Sequence, residues 1–439
     1  MLRIPARLLV SLCLLAAGIS APALVASAVS TAPLAIAPAS AMPTLVAKAS
    51  PTAASTPAPT SAAPSSTTAA GSPALIGASP VPPIAAKSWL VLDVASGQIL
   101  AAEAADQRVD PASLTKLLTA YLSFAAIRDG KLKLDHRPPV SEAAWKAIGS
   151  RMFIEPNKPA SIEELLNGMI VQSGNDASIA LAEAVAGSEA VFAQLMNREA
   201  QRLGMTASSF RNATGLPDPQ HYSTAADLAR LATRLIEDFP QFYAYYAKRE
   251  YAYNGIRQPN RNRLLSLDPT VDGLKTGHTD AAGWCLIASA KRDQQPGGFS
   301  RRLLTVVLGA PSESARIVES QKLLNWGFQS FDAVRLFTAG KAAGTYEVWK
   351  GSSASVSGGF EREITVSVPK GQTDQVRAEI ERMQPLLAPI ARGQRIGTVR
   401  IKLGDRILAE QPMVALAAVD GAGFLGRQWD TIRLWWRSK

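Results

Sequence analysis

Ser113 and Lys116 stand three positions apart in the block Ser113-Leu114-Thr115-Lys116, and on a helix that spacing puts both side chains on one face. A serine hydroxyl is a weak nucleophile until a neighbouring base takes its proton, so the pair can supply a nucleophile and its base. Alone, such a pair arises by chance roughly once in a chain of this length, and an ordinary helix-surface serine and lysine fit it as well. Two more blocks follow in order, Ser173-Gly174-Asn175 and Lys275-Thr276-Gly277. Together they point to a serine acyl-transferase.

Lysine is protonated at neutral pH by default, so Lys116 can be a base only if burial or a second cation lowers its pKa. Lys275 is the expected second cation. It is also expected to bind an anionic group on the substrate and to relay protons with Ser173. Thr276 adds a hydroxyl donor, and Gly277 allows close backbone approach. Ser173 and Asn175 form the third wall, presented by a tight loop between two apolar helical stretches.

The elements that must position these groups are readable nearby. Asp110 is a good N-cap, Pro111 suits the first helical position, and the run from Leu114 to Ile127 is apolar on most sides, as in a buried helix. Ser113 then falls in a first turn, where its N–H lacks a helical partner and can help hold an oxyanion. Asp110 competes for that N–H unless it caps Ala112 instead. The residues leave both arrangements open.

At this point the chain resembles the penicillin-recognising serine enzymes. The strings Asp110–Lys116 (DPASLTK), Gln172–Ala177 (QSGNDA), Asn254–Asn262 (NGIRQPNRN) and Asp272–Asp280 (DGLKTGHTD) resemble the low-molecular-mass penicillin-binding proteins that are D-alanyl-D-alanine carboxypeptidases. The resemblance runs from about Ser88 to the C-terminus. It implies that Ser113 is acylated by the penultimate D-alanine of a peptidoglycan stem peptide, with Lys116 as base and Ser173, Asn175, Lys275 and Thr276 completing the site. It further implies that Arg261 helps hold the terminal carboxylate, that the N–H of His278 is the second oxyanion donor, and that β-lactams are covalent inhibitors. Thr214 stands where some relatives carry histidine and receives no catalytic role. The alternatives within the group are a β-lactamase or a DD-endopeptidase or transpeptidase; outside it, a non-catalytic envelope-organising protein.

Other chemistries have less support. His136, His221 and His278 are widely separated and read as surface or loop histidines, not zinc ligands. No Gly-rich phosphate loop follows a strand, and the mechanism requires no metal or organic cofactor. Cys285 reads as a small buried hydrophobe in a strand, since Cys13 falls in the N-terminal leader. Basic residues late in the chain lack an interleaved aromatic platform, so no nucleic-acid partner is expected.

The chain has 439 residues, of which 47% are hydrophobic, ample for a sizeable core. Arg3 and Arg7, an apolar stretch and Ala26-Ser27-Ala28 read as a secretory signal over 1–28, whose loss lowers the formal charge from +10 to +8. Residues 29–86 are rich in Ala, Pro, Ser and Thr and read as a disordered tether. A peptidase domain is expected over 87–337, an α+β fold with an antiparallel sheet flanked by helices and a helical insertion on one side, resembling the β-lactamase/transpeptidase fold. Short alternating runs over 338–420 read as a small all-β domain of sandwich type. On a helix over Gly421–Lys439, Phe424, Leu425, Trp429, Ile432, Trp435 and Trp436 fall on one side and Arg427, Asp430, Arg433 and Arg437 on the other. This amphipathic segment is expected to lie on a membrane surface, which with the signal places the protein in the periplasm on the outer face of the inner membrane.

Overall fold

The structure is a computed structural model that describes residues 78–294 and 299–437. The expected leader, Cys13 and the tether as far as residue 77 lie outside those residues. The first hairpin is β1 (Ser88–Asp93) and β2 (Ile99–Glu103). Seven helices follow: α1 (Lys116–Arg128), α2 (Glu142–Trp145), α3 (Ile162–Asn167), α4 (Asn175–Ala186), α5 (Glu189–Arg202), α6 (Ala225–Asp238) and α7 (Pro240–Tyr243). A second hairpin, β3 (Glu250–Tyr253) and β4 (Ile256–Pro259), and the short α8 (Leu264–Leu267) lead into β5 (Val271–Thr279), β6 (Gly283–Asp293), β7 (Ser300–Ala310) and α9 (Glu313–Ser330). Ser188, Thr224 and Ser312 start α5, α6 and α9 by accepting an N–H three residues on, which satisfies a donor the helix cannot.

The sheet runs β2-β1-β7-β6-β5, antiparallel throughout, and brings the two ends of the peptidase region together. Its strands alternate between two cores, because successive side chains point to opposite faces. Leu90, Leu92, Leu304, Val306 and Leu308 join the core under the helical insertion. Trp89, Val91, Leu303 and Val307 pack with Ile317, Leu323, Leu324 and Trp326 of α9 on the other face. Ala78, Val81, Ile84 and Ala86 also pack there, and Trp326 Nε1 donates to the Ser79 carbonyl at 3.1 Å. The packed structure therefore reaches back to Ala78, into the stretch expected to be tether.

The C-terminal region comprises β8 (Phe331–Phe337), β9 (Ala342–Glu347), β10 (Ser355–Gly359), β11 (Ile364–Pro369), β12 (Val376–Arg382), β13 (Arg395–Leu403) and β14 (Arg406–Ala415). A five-stranded sheet, β12-β13-β14-β10-β9, accompanies the β8–β11 pair around a core that includes Val356, Val366, Ile396, Val399 and Met413. Because β8 pairs with β11, this region starts at Phe331, ahead of the boundary expected after 337. Ser367 of β11 docks on the first hairpin: its hydroxyl donates to Asp93 Oδ2 at 2.8 Å and its N–H to Gln98 Oε1 at 2.6 Å. The last helix, α10 (Phe424–Arg437), turns Asp430 toward the β region, where Oδ2 accepts the Lys350 N–H at 2.6 Å. Phe424, Trp429, Trp435 and Trp436 are each more than half exposed.

Candidate active site

The Ser113 turn is built by close backbone contacts. Asp110 Oδ1 accepts the Ala112 N–H at 2.7 Å and Oδ2 accepts the Thr279 hydroxyl at 2.7 Å, so the carboxylate ties this turn to the end of β5 and takes donors other than the Ser113 N–H. The segment Ala112–Thr115 is a 3₁₀ turn, and α1 begins only at Lys116. The expected helix start at Pro111 is interrupted because Ala112 is left-handed, with φ of 47°, a strained conformation for a residue with a Cβ. Two glycines make room for it. A Cβ on Gly277 would lie 3.2 Å from Ala112 Cβ, and one on Gly215, at φ +80°, would lie 1.8 Å from the Ala112 carbonyl oxygen.

The second block is more sharply formed than a loop. After α3 the helix widens into a π turn over Gly168–Gln172, Ser173 turns left-handed at φ 67°, and α4 restarts at Asn175. Such bulges and strained residues gather at functional sites. Asp176 holds the facing segment: its carboxylate accepts the N–H groups of Met152, Phe153 and Ile154 at 2.7 to 3.2 Å. Asn175 Nδ2 donates to the Ile148 carbonyl at 2.6 Å, which aims Oδ1 at Lys116.

Lys116, only 1% exposed, is the hub. Its Nζ lies 3.1 Å from Ser113 Oγ, 2.7 Å from Asn175 Oδ1 and 2.5 Å from the Thr214 carbonyl oxygen. Burial, helped by the charge of Arg261, brings its pKa down to about 7. A neutral amine has two N–H groups and one lone pair. Asn175 Oδ1 and the Thr214 carbonyl can only accept, so they take both N–H groups and leave the lone pair toward the Ser113 hydroxyl. The arrangement can take a proton from Ser113.

Lys275, on the edge strand β5, donates to Ser173 Oγ at 2.9 Å and to the Thr276 carbonyl at 3.0 Å. It is buried, and burial with the charges of Lys116, Arg261 and Arg316 holds its pKa well below the ordinary value. Each of the two buried amines disfavours the charge of the other, and the charge of Arg261 acts on both. Arg261 is exposed on the loop after β4, with its N–H 3.4 Å from the Val171 carbonyl. Thr276 is buried, while His278 is exposed, its ring packed at a 30° tilt against that of Trp284 with centroids 3.9 Å apart.

Three contributors were not evident from residue types. Thr214 contributes a main-chain oxygen. Asn212 fixes it, its Oδ1 accepting from the N–H groups of Thr214, Gly215 and Leu216 at 2.7 to 3.2 Å; an Asn two residues before such a turn is the signal available in sequence. His221 lies in a loop but is buried, unlike a surface histidine, and burial pushes its pKa down to about 4. Its Nδ1 accepts the Arg211 N–H at 3.3 Å, so Nε2 carries the proton toward Thr115 Oγ1, 2.9 Å away. Cys285 is fully buried in β6.

The comparisons with known proteins agree with this geometry. A family profile described as D-alanyl-D-alanine carboxypeptidase matches residues 76–312, and one described as penicillin-binding protein 5, C-terminal domain, matches residues 331–420. The chain is 41% identical over 360 residues to D-alanyl-D-alanine carboxypeptidase DacC of Escherichia coli, covering 80% of this chain and 88% of the relative. Penicillin-binding protein 5 from Haemophilus influenzae superposes with a TM-score of 0.73 at 38% identity, covering 78% of this chain and all 100% of that one. Penicillin-binding protein D2 from Listeria monocytogenes, solved in an ampicillin-bound form, matches 56% of this chain and 98% of its own at 31% identity, with a TM-score of 0.51. With its three motifs converging on one buried lysine, the chain belongs to the D-alanyl-D-alanine carboxypeptidase family.

Proposed function

We propose that the protein removes the terminal D-alanine from peptidoglycan stem pentapeptides through an acyl-enzyme on Ser113. The observation that carries this reading is the neutral-prone Lys116 amine, 3.1 Å from Ser113 Oγ, with its N–H groups held elsewhere. Ser113 Oγ attacks the carbonyl of the penultimate D-alanine while its proton passes to Lys116 Nζ. The oxyanion forms against the N–H groups of Ser113 and His278, and collapse of the intermediate expels D-alanine, whose nitrogen takes up a proton by way of Lys116 or the Ser173–Lys275 pair. Water then hydrolyses the ester. Lys275, Thr276 and Arg261 receive the terminal carboxylate, and Gly277 keeps the strand close to the nucleophile. β-Lactams acylate the same serine. Purified protein incubated with a pentapeptide ending in D-Ala-D-Ala should release free D-alanine; a protein that leaves this peptide intact contradicts the reading.

The same reading places the protein in the periplasm, with α10 on the outer face of the inner membrane. The exposed Phe424, Trp429, Trp435 and Trp436 support it, since a row of aromatic rings on a terminal amphipathic helix is stabilised at a lipid interface.

A further inference from the structure

Arg316, in the first turn of α9, is a guanidinium that is only 3% exposed, a costly placement for a cation. Its nearest counter-charge is half in solvent: Nη2 donates at 2.9 Å to Glu313, whose side chain is 46% exposed. Nε has no hydrogen-bond partner among the described residues. Burial lowers the Arg316 pKa, so ion pairing does not repay the placement. Nη1 donates at 3.2 Å to the carbonyl of Gly277. The guanidinium also lies 4.9 Å from the ring centre of Trp284, the same indole against which the His278 ring packs.

The Gly277–His278 peptide is planar and trans, so its C=O and N–H point to opposite sides. A cationic donor at the carbonyl end draws electron density toward that oxygen and leaves the N–H a stronger donor at the other end. We propose that Arg316 is a positioning residue for the reaction: it polarises the Gly277–His278 peptide from behind the strand, and so strengthens the His278 N–H as a donor to the oxyanion. The inference rests on the acyl-enzyme reading above.

The test is the infrared band of the ester carbonyl in the acyl-enzyme formed with a β-lactam carrying ¹³C at the lactam carbonyl, since that band falls as the oxyanion donors strengthen. Arg316→Gln should move the band to higher wavenumber and slow acylation by about tenfold, less than the loss of a whole oxyanion donor. Binding of uncleaved D-Ala-D-Ala peptide in a Ser113→Ala background should change little with Arg316→Gln. Glu313→Gln, which frees the guanidinium of its counter-charge without touching the core, should move the band the other way, and it decides the matter if Arg316→Gln fails to fold. An unshifted band in the folded variants, or peptide binding that falls as much as acylation, would overturn the proposal and leave Arg316 as a strut for β5. A wild-type protein that forms no ester band would contradict the acyl-enzyme reading beneath it, a distinct outcome.

Discussion

Thr214 meets Lys116 through its main chain, its carbonyl oxygen 2.5 Å from the lysine Nζ. The contact turns a lysine beside a serine into a directed base, because it occupies an N–H that would otherwise face Ser113. The Thr214 hydroxyl only supports the loop, donating to Asn212 Oδ1 at 2.9 Å and accepting the Leu216 N–H at 3.2 Å, whereas Asn212 holds three main-chain N–H groups. Thr214→Ala should keep acylation within about threefold of wild type, since the carbonyl stays. Asn212→Ala strands several buried N–H groups and should cost roughly 1 to 3 kcal/mol of stability. It should also slow acylation at least tenfold while peptide binding in a Ser113→Ala background is kept. Stopped-flow acylation with a chromogenic β-lactam separates the two variants.

Acylation requires neutral Lys116, so its rate should rise with pH through about 7 and then level. Arg261 contributes to that low value by charge. Removing it makes the protonated amine easier to keep, and the rising limb of Arg261→Gln should move to higher pH. The same variant should lose more turnover on free-acid peptides than on their C-terminal amides, by roughly ten- to a hundredfold, if the guanidinium meets the carboxylate. Equal losses on both substrates with an unmoved limb would make Arg261 structural.

The buried lysine also sets a pH dependence of stability. Its folded pKa lies below the ordinary lysine value, so between about 7 and 10.5 the unfolded chain binds more protons than the folded one. Stability should therefore rise with pH across that window, and the cost of burying the amine is felt fully below it. Lys116→Met should flatten part of this slope and abolish acylation. Urea titrations at several pH values measure it directly.

Gly215 and Gly97 both hold positive φ, at +80° and +70°, but only Gly215 presses on the nucleophile turn. Gly97→Ala meets nothing within 4 Å and should cost about 1 kcal/mol with activity intact. Gly215→Ala must displace the Ala112 carbonyl and should cost at least about 3 kcal/mol and most of the acylation rate. Thermal melts and labelling of the two variants make the comparison.

The tail is tested by truncation after Gly423, because Val419 is buried in the β core and pairs with Ile390. The full chain should sediment with anionic liposomes at low salt, and the truncated chain should stay in solution with full activity on small peptides. Binding unchanged by the truncation would remove α10 from the membrane reading.

Much of the site was readable because its chemistry resides in side chains at fixed spacing. Ser113 and Lys116 sit one turn apart, and the hairpins from Trp89 and Trp284 fall where their apolar runs lie. The residues left the donor taken by Asp110 open, and the structure gives it to Ala112. What was not readable depends on main-chain atoms or on burial. The Thr214 carbonyl carries no residue signature, and the burial of His221 depends on neighbours such as Thr115 and Phe210, one of them far off in sequence. Ala78 to Ala86 looked like tether because its composition is low in contrast, yet α9 gives those few apolar side chains a surface.

The most direct measurement is peptide mapping by mass spectrometry after brief exposure to benzylpenicillin. Wild-type protein should carry one penicilloyl group, on the peptide containing Ser113-Leu114-Thr115-Lys116, and neither Ser113→Ala nor Lys116→Ala should carry it. A label on another residue, or one that persists in Ser113→Ala, contradicts Ser113 as the nucleophile and the lysine-directed site built around it.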